Sequence, residues 1–206
     1  MSADAATLEQ RLLRAVRRLD DPPGPPGWNH ADIADLLGDA ARRPAAVLVP
    51  IVSRSGGLTV LFTQRTENLA QHAGQISFPG GGMEPDDADA IAAALRETRE
   101  EVGIGAELIT PFGYLDTFET VSGYSVTPVV AHVDPAFEAR PDAREVAAVF
   151  EAPLAFFLDP ANLRRRRIDW RGRPREILEF PYPGRNIWGA TAAMLLSLVR
   201  RVEAVS

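Results

Sequence analysis

Residues 61–104 read LFTQRTENLAQHAGQISFPGGGMEPDDADAIAAALRETREEVGI. A run ending in Phe78-Pro79-Gly80-Gly81-Gly82 leads into an alanine-rich stretch, which closes on Arg96-Glu97-Thr98-Arg99-Glu100-Glu101-Val102-Gly103. The pattern predicts a short strand over Gln75 to Phe78, a glycine turn where backbone comes close to a ligand, and a helix over Asp86 to Glu101. Residues three and four apart are neighbours on a helix. Glu97, Glu100 and Glu101 therefore project from one side, while Leu95, Thr98 and Val102 lie elsewhere, and the three carboxylates can converge on one point. Like charges so placed repel unless a cation stands between them. Their hard oxygens suit Mg²⁺, Mn²⁺ or Ca²⁺ rather than zinc or copper. The bland alternative is a solvated acidic face with Arg96 and Arg99 as intrahelical partners; the flanking residues argue against it.

Outward from this stretch the pattern is mixed. Ala5 to Leu19 carries Leu8, Leu12, Leu13, Val16 and Leu19 at helical spacing and ends before the stiff connector Asp20-Asp21-Pro22-Pro23-Gly24-Pro25-Pro26-Gly27. A short helix is expected over Ala31 to Leu37. Apolar and β-branched runs over Ala45 to Ser53 and Leu58 to Arg65 bracket Arg54-Ser55-Gly56-Gly57, a hairpin signature. Further strands are expected over Phe112 to Thr117, Ser125 to Val133, Arg144 to Phe150, Leu163 to Trp170 and Arg175 to Pro181. A final helix over Asn186 to Val202 would place Ile187, Ala190, Met194, Leu195, Leu198 and Val202 on a common face. The order of elements implies an α/β domain with a mixed sheet between helices. Residues 1–40 read as a helical extension with a proline-rich connector, and residues 41–206 as the main domain.

Composition narrows the chemistry. With 206 residues the chain is long enough for one well-buried core. Its 28 acidic and 22 basic residues give a net charge of −6, which speaks against a general nucleic-acid binder. Every basic side chain is arginine, so a Walker phosphate loop and Schiff-base chemistry are excluded. The absence of cysteine excludes disulfides, thiolate catalysis and a cysteine zinc site. No apolar stretch reaches the roughly 18 to 20 residues needed to cross a bilayer, and with Asp4 and Glu9 early and Ala204-Val205-Ser206 at the other end neither a secretory leader nor a peroxisomal address is expected. A cytoplasmic protein with no membrane partner is expected.

The segment Gly82-x5-Ala88-x7-Arg96-Glu97-Thr98-x-Glu100-Glu101-x-Gly103-Ile104 resembles the Nudix box, the strand-loop-helix signature of enzymes that hydrolyse a nucleoside diphosphate linked to another group. Gly82, Arg96, Glu97, Glu100, Glu101, Gly103 and Ile104 match it. Ala88 stands where the signature has Glu, and Thr98 where it has a bulky apolar residue; Glu84, Asp86, Asp87 and Asp89 lie close enough to substitute for the missing carboxylate. Upstream, Leu61 to Thr66 followed by Gly74 to Gly81 resembles the extra motif of the coenzyme A diphosphatase branch. It departs at Ala70, where that motif carries Arg, and at Thr66, where it carries Ser or Ala. Similarity is looser through Glu145 to Leu154 and Ile187 to Ala192.

The resemblance implies a Nudix-type α/β/α sandwich and metal-dependent hydrolysis of coenzyme A or its thioesters to 3′,5′-ADP and (acyl-)4′-phosphopantetheine. Glu97, Glu101, Glu100 and the Gly81 carbonyl would hold Mg²⁺ or Mn²⁺, and Arg96 would orient a box carboxylate. Glu145 and Glu119 are candidate carboxylates from outside the helix; the proton acceptor is not decided between box and loop. Arg65, His72 and the turn Gly80, Gly81 and Gly82 are candidates for substrate binding, since a guanidinium suits a diphosphate. The run Arg164-Arg165-Arg166-Arg167 reads as a solvated face, with one arginine available for the coenzyme's 3′-phosphate. Neither His30, His72 nor His132 has zinc-type spacing, and no serine elbow accompanies them. The rivals are a broader Nudix hydrolase acting on ADP-ribose, NADH or nucleoside triphosphates, and a non-catalytic nucleotide-sensing domain. The N-terminal helix could pack against a second subunit, because homodimers are common in the family.

Overall fold

The computed structural model describes residues 3–37, 40–67, 73–170 and 172–205. The hairpin at its centre joins β1 (Arg43–Arg54) to β2 (Gly57–Arg65). Arg54 pairs with Gly57 across the turn, where Gly57 takes φ +119°, a conformation glycine adopts freely. The C-terminal half of β1 pairs with β2, as in Ile51 with Val60. Its N-terminal half pairs instead with β4 (Gly80–Gly82), Ala46 opposite Gly81. Along its other edge β1 runs parallel to β7 (Tyr124–Val133). The short strand β3 (Ile76–Ser77) and β8 (Val146–Pro153) both pair antiparallel with β2, while β5 (Ile109–Tyr114) and β6 (Phe118–Glu119) pair with β7. Among the described residues these strands form one mixed eight-stranded sheet.

Alternation along each strand sends side chains to opposite faces, and both faces are covered. Val49, Ile51, Val60, Phe62 and Val130 pack with residues of α1 (Ala3–Ala15), α4 (Leu154–Leu158) and α5 (Gly189–Ala204). Leu48, Val52, Leu61, Val129 and Ala131 pack against Ala93, Ala94 and Val102 of α3 (Ala90–Val102). The result is the expected α/β/α sandwich. Of the N-terminal extension, Leu12 and Ala15 are buried in the first of these cores, and Arg11 donates to the Val202 carbonyl of α5. Beyond α1, His30–Ile33 form a short helix, α2, and the chain continues into a 3-10 turn over Ala34–Leu36. No helix among the described residues is long and apolar enough to cross a membrane.

Several boundaries differ from the sequence expectation. The helix of the glycine-to-glutamate stretch begins at Ala90 rather than Asp86, because Asp89 caps it by accepting from Ala92 N at 2.8 Å. It ends at Gly103, φ +74°, where a Cβ would lie 2.7 Å from the Arg140 carbonyl. The expected strand Phe112 to Thr117 sits earlier, as β5, and Arg144 to Phe150 sits later, as β8. The final helix starts at Gly189, not Asn186: Asn186 and Ile187 belong to β11 (Arg185–Trp188). That strand pairs with β10 (Arg173–Tyr182), which pairs with β9 (Arg164–Trp170), forming a second, antiparallel sheet.

Candidate active site

The turn before α3 and the last two turns of that helix come together. Gly81 faces Glu97 so closely that a Cβ on Gly81 would lie 2.5 Å from Glu97 Oε1. Gly80 N donates to Glu101 Oε2 at 3.2 Å. The register of β4 against β1 brings the glycines to the helix; at Gly81 a side chain would collide with Glu97, and at Gly80 with the backbone of Ala46 and Val47.

Arg96 organises the solvent side of the cluster. Its Nη1 donates to Glu97 Oε1 at 2.9 Å and to Glu100 Oε2 at 3.2 Å. Its Nη2 donates to the Gly82 carbonyl at 3.1 Å. Asp87 grips the same guanidinium with both oxygens, at 3.1 and 2.9 Å, and Arg96 in turn holds the Asp87 carboxyl below the usual range. Of the four carboxylates beside Ala88, Asp87 is thus the one that forks onto the Arg96 guanidinium. Thr98, in the slot where the signature is apolar, is fully buried and satisfies its hydroxyl on the Ala94 carbonyl at 2.7 Å.

Glu101 turns inward and is only 5% exposed. Burial pushes its carboxyl up to about 7; the Gly80 N–H and Arg65 oppose that rise, while the charges of Glu97 and Glu145 add to it. Glu97 is also raised, first by burial, with Arg96 opposing and Glu100 and Glu145 adding. Arg65, at the end of β2, reaches Glu101 at 3.4 Å and Glu145 at 3.9 Å. Its Nε is buried without a hydrogen-bond partner.

The structure therefore brings Glu97, Glu101, Gly80, Gly81, Gly82, Arg96, Arg65 and Glu145 into one place. The single point of convergence expected for Glu97, Glu100 and Glu101 is not present. Among the described residues no three carboxylate or imidazole groups stand close enough to cage an ion. The reason is electrostatic: Arg96 draws Glu97 and the exposed Glu100 one way, while Gly80 N and Arg65 hold Glu101 the other way. Glu119 is used elsewhere. Its Oε1 accepts from Gly27 N at 3.0 Å and its Oε2 contacts His30 Nδ1 at 2.7 Å, tying the proline-rich connector to β6. Arg165 and Arg166 are ion-paired with Glu176 and Glu179 on the exposed second sheet. His72 and Ala70 lie outside the described residues.

Sequence reasoning missed Asp87 as a specific partner of Arg96; its nine-residue separation, across the turn that precedes α3, hides the contact from helical spacing.

The NUDIX domain family model matches residues 41–178. The chain belongs to the Nudix family. It is 43% identical over 161 residues to the uncharacterized Nudix hydrolase NudL of Escherichia coli (strain K12), covering 78% of this chain and 83% of that one. To NudL of Klebsiella pneumoniae it is 42% identical over 164 residues, covering 79% and 84%. The MutT protein of Methanosarcina mazei Go1 shares the fold, with a TM-score of 0.52 at 17% identity over 82% of this chain and 97% of that one. This Nudix protein is a hydrolase of pyrophosphate bonds in nucleoside diphosphate derivatives, and Nudix hydrolases generally use divalent metal ions.

Proposed function

We propose that this Nudix hydrolase cleaves the diphosphate of coenzyme A or its thioesters, giving 3′,5′-ADP and (acyl-)4′-phosphopantetheine. The observation that carries the reading is the position of Arg65. It ends the strand of the upstream motif and stands against Glu101 and Glu145 of the cluster with its Nε still unpartnered, so the motif special to the coenzyme A branch and the Nudix box meet at one guanidinium.

The donor types of the cluster suit a hard divalent cation, whose charge would draw together carboxylates that Arg96 and Arg65 hold apart. These donors are carboxylate and backbone oxygens, Gly81 leaves no room for a side chain beside Glu97, and Glu97 and Glu101 are raised first by burial and then by the charges of neighbouring carboxylates, Glu100 and Glu145 on Glu97, Glu97 and Glu145 on Glu101. Glu97, Glu101, Glu100 and the Gly81 carbonyl would hold Mg²⁺ or Mn²⁺. Such ions supply positive charge that neutralises diphosphate oxygens and acidifies the attacking water.

The chain's own groups do the rest. Arg65 would bring its guanidinium charge to the diphosphate, an anion its planar fork suits. Arg96, fixed by Asp87 and by the Gly82 carbonyl, holds Glu97 in position. Glu145, half-exposed and 3.9 Å from Arg65, would take the proton from water in this reading. The catalysis asked of the protein is then mainly positioning and preorganised charge. A cytoplasmic setting accords with a chain that has no cysteine.

A panel of coenzyme A, acetyl-coenzyme A, ADP-ribose, NADH and nucleoside triphosphates, resolved by chromatography with each metal, tests the reading. Coenzyme A or its thioester should have the highest kcat/KM by at least about tenfold, the scale of 1.4 kcal/mol in transition-state binding. A higher value for ADP-ribose or a triphosphate would overturn the substrate assignment.

A further inference from the structure

The hairpin between β10 and β11 turns at Pro183-Gly184 and returns with Arg185, which pairs with Tyr182. The partly buried Arg185 guanidinium lies over the Phe150 ring, 4.1 Å from its centroid, and Nη1 donates to Gln64 Oε1. Tyr182 stacks on the same Phe150 with ring centroids 6.4 Å apart. Among the described residues no carboxylate pairs with Arg185. The arginines of the cluster differ in this respect: Arg96 is matched by Asp87, Glu97 and Glu100, and Arg65 by Glu101 and Glu145. Arg185 is thus a positive charge held in a fixed orientation by neutral partners.

Its place relative to the site follows from the strand. Gln64 and Arg65 are consecutive at the end of β2, with Cα atoms about 3.8 Å apart, and the pairing of β2 with β8 shifts register between them, a bulge that re-aims neighbouring side chains. Arg65 turns to the carboxylates and Gln64 to Arg185, so the two guanidinium groups flank one end of the same strand. A guanidinium has five N–H donors and here gives one to Gln64; the remainder suit a phosphate, bidentate, at a spot already stiffened by ring stacking. Arg164 to Arg167 are worse placed. They lie on β9, separated from β11 by β10 and so roughly 10 Å further out, and Arg165 and Arg166 are already paired.

We propose that Arg185, set by Gln64 and Phe150, reads a second phosphate of the substrate, apart from the diphosphate that is cut. The inference rests on the coenzyme A reading, in which that group is the 3′-phosphate, and it makes Arg185 a specificity residue.

The test is calorimetric binding of adenosine 3′,5′-bisphosphate and of AMP to the full-length protein. It is paired with steady-state kinetics on coenzyme A and dephospho-coenzyme A. Wild type should bind the bisphosphate at least about tenfold more tightly than AMP. Arg185→Gln should cut that preference below about threefold with AMP affinity unchanged, and should raise KM for coenzyme A about tenfold with kcat within about twofold. Because Arg185 also packs on Phe150, Arg185→Lys is made alongside. It keeps the charge, and its preference should lie between those of wild type and the Gln variant, a ratio that a general loss of stability does not move. Equal affinity of wild type for the two nucleotides, or a preference that survives Arg185→Gln, would overturn the inference. A wild type that prefers the bisphosphate yet does not cleave coenzyme A would sink the substrate reading while leaving the role of Arg185 in place.

Discussion

At the scale of single residues the site is a balance between carboxylates and two arginines. Glu101 is buried between Gly80 N and Arg65, so Glu101→Gln keeps shape and the Gly80 hydrogen bond while removing charge. It should lower kcat by at least about 100-fold, the scale for deleting one electrostatic stabiliser, with little change in melting temperature. Near wild-type turnover would take Glu101 out of the machinery. Asp87 acts one step back, through Arg96. Asp87→Asn should raise the Mg²⁺ or Mn²⁺ concentration for half-maximal rate by about 10-fold or more, the usual range for an outer partner of a metal ligand. An unchanged metal dependence would mean that Arg96 holds Glu97 without help. The glutamates and glycines of this region are legible in the sequence because their spacing is set by one turn and one helix. Asp87 is not, since its contact depends on how the turn at 83–88 folds back.

At the scale of elements, local chemistry marks some boundaries and hides others. The β1–β2 hairpin follows from two β-branched runs around Ser55-Gly56, and α3 from alanine content and its glycine end. The strand β11 is hidden because Ile187 fits the apolar period of the helix that follows; what stops the helix reaching it is Gly189 at φ +66°. Missing that strand also hides Arg185. The connector around His30 is pinned by Glu119, whose carboxyl stays below its usual range: burial pushes it up, but the bonds from His30 and Gly27 N–H outweigh this. A carboxyl whose folded pKa is depressed contributes stability above its unfolded value, near 4.3, and loses that contribution as pH falls through the folded value. Urea unfolding of Glu119→Gln at pH 7 should therefore show a loss of about 1–3 kcal/mol. Between pH 5 and pH 3 the difference from wild type should shrink. A gap that stays constant across those pH values would contradict the assignment.

At the scale of the whole molecule, the N-terminal helix shares a core with the Nudix domain. Leu12 is fully buried there, Arg11 bonds the Val202 carbonyl, and Arg201 bonds the Ala15 carbonyl at 3.0 Å. Leu12→Ala should cost about 2–5 kcal/mol in denaturant unfolding, as for a leucine truncated inside a core; a cost under about 1 kcal/mol would show that α1 is peripheral. The sandwich itself was readable from the alternation of strand and helix patterns. The joining of α1 to α5, 191 positions apart at the Arg11 contact, was not, because sequence spacing carries no sign of so distant a partner. All of this scaffolding serves one claim, that carboxylates of α3 and the glycine turn hold divalent ions against a substrate diphosphate which Arg65 helps to grip. The most direct measurement is the product analysis of coenzyme A incubated with the purified protein and Mg²⁺ or Mn²⁺, beside a chelated control and Glu101→Gln. The account predicts 3′,5′-ADP and 4′-phosphopantetheine in equal amounts with metal, and neither in the chelated sample; coenzyme A left intact with both metals, or cut equally well after chelation, would contradict it.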